Sequence, residues 1–210
     1  MVNKEQVEGK PRIFKKAKVV IDYILTKTMD KPFDRIFKII GWSIISFCIY
    51  YWIYFFIIVK IFEPLLYTTY ITSILIGLTL ITGLKSTFFN SFTSITFYGF
   101  LNVTLFMIPL VDDIFSLIVG LVLHGAIAGF QLFLILHKKA PICTRFLLIG
   151  MLFYLTFMSS YDSFHRFNII TGLERLVPTS FTVAYSFYAL IFSVVAIYFY
   201  KKKYGIIVEN

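Results

Sequence analysis

Apolar runs of about twenty residues recur along most of this 210-residue chain, and they constrain its fold more than any other feature. At 1.5 Å per residue, about twenty helical residues cross the roughly 30 Å hydrocarbon layer of a membrane. Hydrophobic residues make up 59% of the chain and charged residues 15%, against about 45–50% and about 25% in soluble domains. The sequence therefore predicts an all-α integral membrane protein. It excludes a secreted disulfide scaffold, a disordered chain and a soluble nucleic-acid-binding protein.

Six segments, plus or minus one, are long and apolar enough to be membrane spans. Their approximate bounds are 39–59, 65–84, 88–111, 114–136, 145–161 and 179–200. Hydroxyl and amide residues fill the start of the third span, so we expect it to begin late or to break near its inner end. We expect Asp162 to interrupt the fifth span and shorten it. The chain thus divides into a basic arm over 1–38, a transmembrane bundle over 39–200 and a tail over 201–210.

The positions of the lysines and arginines predict the orientation. Six spans place both termini and the connections 85–87 and 137–144 on one side of the membrane. That side holds 17 of the 20 lysines and arginines and 6 of the 11 acids, a net charge of +11 against −2 on the other side. Because lysine and arginine resist translocation, both termini are predicted to be cytoplasmic. Five spans would instead separate the basic arm from Lys201, Lys202 and Lys203.

The basic arm is predicted to contain an amphipathic helix that lies at the membrane surface. Ile13, Ala17, Val20 and Ile24 recur at helical spacing, and the lysines lie largely on the other faces. Each basic residue near anionic headgroups contributes about 1 kcal/mol to membrane binding. Membrane lipids are therefore the expected partner of the arm, with a cytoplasmic protein as the alternative.

The fourth span carries a histidine near mid-depth and a pair of glycines. Gly125 and Gly129 are spaced for close helix packing, which predicts a central helix pair. An ionisable side chain at this depth is a candidate functional residue, so His124 has two interpretations. It either serves a functional site or is a neutral ring paired with a hydroxyl of a neighbouring span. The other two histidines lie at other depths, so the sequence predicts neither a metal site nor a cofactor.

The other polar residues at depth are hydroxyls and amides. Thr72 lies in span two on one stripe with Thr68 and Thr79, whereas Asn102 and Gln131 lie in spans three and four. Together with His124 they could line a polar path. The alternative is that the hydroxyls hydrogen-bond to their own helix backbone, which requires no path.

The outer rim collects acids and one histidine. Asp112 and Asp113 form the turn between spans three and four, and Asp162 and His165 follow span five. If the last two share a helical turn, they lie on one face and could hydrogen-bond or join in binding a cation. An ordinary solvated loop is the alternative.

Missing motifs shape the functional predictions. The sequence has no HExxH, CxxC, glycine-rich phosphate loop or paired intramembrane carboxylates. The first interpretation is a non-catalytic protein that packs against a membrane-protein partner or further copies of itself, as an accessory subunit, assembly factor or trafficking factor. The alternative is a small channel or carrier with a polar path near His124. A second alternative is a lipid-modifying enzyme that uses Asp162 and His165.

Overall fold

The computed structural model describes residues 12–29, 31–60, 68–110, 114–167 and 179–208, and these are almost entirely helical. The helices are α1 (Arg12–Lys27), α2 (Lys31–Ile53), α3 (Thr68–Ile81), α4 (Thr87–Ser94), α5 (Phe97–Leu110), α6 (Ile114–Leu136), α7 (Thr144–Phe167) and α8 (Thr179–Lys203). A π-helical segment, Tyr54–Val59, extends α2. The described residues contain no β-strand, and a single bridge pairs Ile142 with Ile207. The predicted all-helical fold is confirmed.

Three helical segments are long and apolar enough to cross a membrane: Phe33–Val59, Leu117–Leu136 and Val183–Lys203. Thr68–Ile81 and Thr144–Phe157 are shorter apolar helices. Large apolar side chains lie exposed on these helices, among them Trp42, Phe47, Val122 and Phe199. So much exposed apolar surface is costly in water and favourable in lipid. These features are compatible with a membrane location.

Two helices extend beyond the apolar segments that the sequence indicates. Helix α2 begins at Lys31, within the predicted arm, and continues into the first apolar segment without a break. Asp162 does not end the helix, because α7 continues to Phe167. The last 17 residues of α7 contain neither glycine nor proline, so nothing in the sequence forces that helix to stop. Only its apolar part is short, ending at Phe157.

The third apolar segment is broken, as expected from its polar start. Its first part, α4, ends at Ser94, and α5 begins at Phe97 after a turn at Ile95 and Thr96. The Ser86 hydroxyl caps α4 by accepting a hydrogen bond of 3.3 Å from the Phe89 N–H. The α4 residues 90–94 are all buried, although four of these five side chains are polar. A short, polar half-helix therefore lies inside the molecule.

The closest described helix crossing joins α2 and α3. A Cβ atom built on Gly41 would lie 2.6 Å from the carbonyl oxygen of Gly77. One built on Gly77 would lie 2.6 Å from Cγ1 of Ile45 and 2.9 Å from the carbonyl oxygen of Gly41. The two backbones touch at this point, so neither position has room for a side chain.

The predicted close packing at Gly125 and Gly129 is not found among the residues that the structure describes. A Cβ atom on Gly125 would meet only the Thr104 methyl group, at 3.7 Å, and one on Gly129 would meet nothing within 4 Å. Helix α6 packs against α5, yet Gly129 is exposed. The spacing of the glycines shows only that they share one face of α6. The rotation of α6 about its axis decides what that face contacts, and this rotation depends on all the neighbouring helices.

Several distant segments meet at one end of the helices. The backbone N–H of Lys138 donates to the carbonyl oxygen of Leu25 over 3.1 Å, which joins α1 to the connection after α6. The N–H of Val208 donates to the carbonyl oxygen of Ile142 over 2.9 Å, which joins the last described residues to the same connection. The N-terminal helix, the connection 137–143 and the C-terminal segment are therefore neighbours.

Candidate functional site

A cavity of about 300 Å³ lies among α3, α5, α6, α7 and α8. The surface around it is largely apolar, with hydroxyl and imidazole groups at a few points. Its lining residues are Thr68, Thr69, Thr96, Gly99, Phe100, Val103, His124, Tyr154, Tyr185, Ser186, Ala189 and Leu190. Apolar walls with a few placed polar groups are typical of small-molecule sites, and this volume is at the lower end of their range.

His124 presents a hydrogen-bond acceptor to the cavity. Its Nδ1 lies 2.9 Å from the carbonyl oxygen of Gly120, one turn earlier on α6. Because a carbonyl oxygen only accepts, Nδ1 carries a proton, and in this tautomer Nε2 is the acceptor. The Thr69 hydroxyl lies 3.4 Å from Nε2, at the long limit of a hydrogen bond. Phe100 stacks on the ring at a centroid distance of 5.9 Å. Both neighbours hold the ring against the cavity wall.

The Tyr154 hydroxyl connects the cavity to the interior. The side chain is fully buried, and its hydroxyl lies 3.2 Å from the Thr72 hydroxyl on α3. It also hydrogen-bonds to the Thr96 hydroxyl, at the break between α4 and α5. Thr72, predicted as a path residue, therefore pairs with another helix, whereas Ser73 and Thr79 donate to carbonyl oxygens of their own helix. The backbone interpretation of the threonine stripe applies at Thr79, whereas a polar path along the stripe stays a prediction.

Gln131 continues this network from α6. Its Nε2 donates to the carbonyl oxygen of Thr93 over 2.5 Å and to the Thr96 hydroxyl over 2.8 Å. The Thr93 hydroxyl in turn lies 2.7 Å from the Thr79 hydroxyl on α3. A hydrogen-bond network therefore surrounds the break between α4 and α5. It connects Thr72, Tyr154, Thr96, Gln131, Thr93 and Thr79.

The network satisfies backbone groups that the break exposes. Four carbonyl groups at the end of a helix and four N–H groups at the start of the next have no partner within their helix. Gln131 supplies a donor to the last turn of α4, and the Ser193 hydroxyl accepts the N–H of Tyr98 over 3.1 Å. Side chains from α6 and α8 thus stabilise a broken helix in a place where water is scarce.

The predicted path residues are brought close to one another. His124 lines the cavity, Thr72 lies directly behind it, and Gln131 is connected to it through Thr96. Asn102 lies on α5 and hydrogen-bonds to Tyr185, which also lines the cavity. Four residues from three helices, α3, α5 and α6, therefore meet at one cavity and its network, which the sequence suggested by composition alone.

The predicted outer-rim site is only partly described. Asp112 and Asp113 lie outside the described residues, between α5 and α6. Asp162 and His165 lie three positions apart on the last turns of α7, a spacing that places them on one helix face. Their side chains also lie outside the described part of the structure, so a cation site or an enzymatic role there stays a prediction.

A second polar cluster lies where the distant segments meet. Lys201 is fully buried, and its Nζ donates to the carbonyl oxygens of His137 and Ala140 over 2.8 and 3.0 Å. The backbone N–H of Lys139 donates to Nδ1 of His137, so Nε2 carries the proton and donates to the Thr28 hydroxyl over 2.5 Å. Burial, with the positive charges of Lys201 and Lys139, lowers the pKa of His137 to about 4.

Sequence reasoning missed this cluster. His137 and Lys201 were assigned to a basic loop and a basic tail, where exposure is the usual state of charged residues. The sequence did contain one signal for it. His137 directly follows α6, and the free carbonyl groups at a helix C-terminus interact favourably with cations. The partner that supplies the cation, Lys201, is 64 residues away.

No metal-binding cluster is evident in the part of the chain that the structure describes. Groups of three or more histidine, cysteine or acidic side chains that could hold a metal ion do not occur there. Cys48 and Cys143 are both buried free thiols.

The chain matches none of the protein-family models, curated proteins or solved structures with which it was compared. The cavity and the network behind it are therefore the features from which a function can be inferred.

Proposed function

We propose that this protein is a small membrane channel or carrier for an uncharged solute that carries hydrogen-bond donors. The observation that supports this most directly is the cavity in which Nε2 of His124 is an acceptor, next to a broken helix. In transporters, discontinuous helices frequently form binding sites, because their free backbone ends and the side chains around them can bind a solute. Here the break between α4 and α5 is connected to the cavity through Thr96 and Tyr154.

The lining of the cavity favours an uncharged solute. No aspartate, glutamate, lysine or arginine is among its described lining residues, and burial of an unpaired charge is costly. The acceptor at His124 and the hydroxyls of Thr69 and Tyr154 suit hydroxyl or amide groups. Phe100 and Leu190 suit the apolar side of the same solute. Small polyols and urea-like amides combine these properties.

Six membrane crossings and cytoplasmic termini complete the proposal. The crossings are α2, α3, the pair α4 and α5, α6, α7 and α8. The meeting of α1, the connection 137–143 and the C-terminal segment at one end supports an even number of crossings. This end also carries Lys138, Lys139, Lys202 and Lys203, which supports a cytoplasmic assignment by the distribution of basic residues.

We place α1 at the cytoplasmic membrane surface. Val19, Val20 and Tyr23 are exposed apolar residues of this helix, and Lys16 and Lys18 are exposed basic residues beside them. Such a helix binds by burying apolar side chains among the lipids and by attracting anionic headgroups. The salt bridge of 3.2 Å between Lys138 and Asp22 holds α1 near the end of α6.

Solute flux in proteoliposomes tests the proposed function. Stopped-flow light scattering would measure the permeability to glycerol and to urea, with protein-free liposomes as the baseline. We expect the protein to raise the permeability to at least one of these solutes. We expect His124→Ala to return it to the baseline, because the variant removes the acceptor at the cavity wall.

Two controls separate the site from the fold. Leu123→Ala alters the exposed neighbour of His124 on the same helix and should leave the flux unchanged. His124→Gln retains a side-chain acceptor and should retain part of the flux. Baseline permeability to both solutes in wild-type proteoliposomes would reject the proposal. Full flux through a properly folded His124→Ala variant would reject the path.

Partner binding is a second candidate function, because one face of α6 is open. Gly129 is exposed and has no atom within 4 Å of a Cβ position, so a helix of another protein or another copy could approach closely there. Purification in mild detergent followed by mass spectrometry tests this candidate. A partner at a near one-to-one ratio that Gly129→Leu removes would support it, whereas a wild-type monomer would reject it.

A further inference from the structure

The Gln131 side chain has one amide atom without a partner. The residue is fully buried, and both N–H groups are used, by the Thr93 carbonyl oxygen and the Thr96 hydroxyl. Rotating the amide would place its oxygen against the Thr93 carbonyl oxygen, two acceptors in contact, so the network fixes the orientation. In this orientation Oε1 is buried without a hydrogen-bond donor among the described groups. A buried acceptor without a donor is costly and requires an explanation.

Four hydroxyl groups of α3 and α4 near the break use their protons elsewhere. Thr79 donates its proton to the carbonyl oxygen of Leu75 over 2.8 Å, so the contact between Thr79 and Thr93 uses the proton of Thr93. Ser91 and Ser94 donate to carbonyl oxygens of α4, over 2.6 and 3.0 Å. What these hydroxyls present to their surroundings is lone pairs. These four hydroxyl groups therefore supply no donor to Oε1 of Gln131.

The backbone adds to the negative character of this region. The C-terminal end of α4 lies at the break, and a helix C-terminus carries a partial negative charge. Asn90 has a second buried amide oxygen without a partner, and it lies on the same face of α4 as Thr93 and Ser94 by its helical spacing. A positive charge is already accommodated nearby. The carbonyl oxygen of His137, about 9 Å along the helix axis from Gln131, accepts a hydrogen bond from the buried ammonium group of Lys201.

We infer that a monovalent alkali cation, Na⁺ or K⁺, binds at the break between α4 and α5, with Oε1 of Gln131 among its ligands. Hard cations bind oxygen ligands, and carbonyl groups at helix breaks bind Na⁺ in transporters. The site is built from neutral oxygens, and no carboxylate is among the described groups around it. This ligand set suits a single positive charge better than a divalent cation, which usually recruits carboxylates. The inference goes beyond solute binding and does not depend on it.

Thermal unfolding of the full chain in detergent tests this site without any solute. The melting temperature would be measured in NaCl, KCl and choline chloride at one ionic strength, because choline is too large for the site. A cation that binds only the folded state at ten times its Kd raises the ratio of folded to unfolded protein about elevenfold. We therefore expect a higher melting temperature in NaCl or KCl, and the salt with the larger effect identifies the ion.

Variants locate the effect. Gln131→Met keeps the length of the side chain and removes the amide, so the difference between alkali salt and choline should disappear, whatever the basal stability of the variant. Gln131→Glu adds a negative charge and should enlarge the difference. Ser43→Ala alters an exposed hydroxyl that bonds only to its own helix, and should keep the wild-type difference. Equal wild-type melting temperatures in the three salts would mean that water satisfies Gln131 and would overturn the inference. An undiminished difference in Gln131→Met would overturn it as well.

Discussion

Gly41→Ala should destabilise the protein, whereas Gly129→Ala should not. At Gly41 the added methyl group would lie 2.6 Å from a backbone oxygen of Gly77 and 2.9 Å from Cγ1 of Ile81. A backbone atom cannot rotate away, so α2 and α3 must separate. Such overpacking costs about 1–3 kcal/mol, and the better helix propensity of alanine offsets about 0.5–1 kcal/mol of it. The expected net loss is about 1–2 kcal/mol.

At Gly129 only the propensity gain remains, because no atom of the described residues lies within 4 Å of the added methyl group. For a chain of this size, 1 kcal/mol changes the melting temperature by about 2–4 °C. Thermal unfolding in detergent should therefore show a decrease of about 2–8 °C for Gly41→Ala and no decrease for Gly129→Ala. The opposite order would refute the reasoning, because it would place the tight crossing on α6, as the glycine spacing alone suggests.

Three further predictions concern the buried polar cluster and the thiols. Lys201→Met leaves the carbonyl oxygens of His137 and Ala140 without their donor and should lower the stability by about 1–3 kcal/mol, measured by thermal unfolding. Because the pKa of His137 is lowered from 6.5 to about 4, the unfolded chain binds a proton first. As the pH falls from 6.5 to about 4, the free energy of unfolding should therefore decrease by up to about 3 kcal/mol. His137→Gln should remove that decrease, which unfolding measurements at each pH would show. Cys48 and Cys143 should react with maleimide only after unfolding, because both thiols are buried. Mass spectrometry would measure the modification, and rapid modification of the folded protein would contradict the packing.

Some properties of this protein are determined by its sequence alone. Apolar runs and few charges predicted helices that suit a membrane, since burial in lipid depends on composition over about twenty residues. The polar start of the third span predicted its break, and helix spacing placed Asp162 and His165 on one face. The polar types at depth, including His124, were also evident. Each of these properties is local, because it depends on at most about twenty consecutive residues.

The tertiary structure decided which of these residues meet. Thr72 and Tyr154 are 82 residues apart, and the partners of Gln131 are 35 and 38 residues away from it. Such contacts depend on the rotation of each helix about its axis. The sequence pattern does not determine this rotation when most faces of a helix are apolar. For the same reason the close crossing formed at Gly41 and Gly77, two glycines that are not paired in sequence. Buried Lys201 illustrates the physical cause: a charged residue of the predicted tail is buried because carbonyl groups distant in sequence accept its hydrogen bonds.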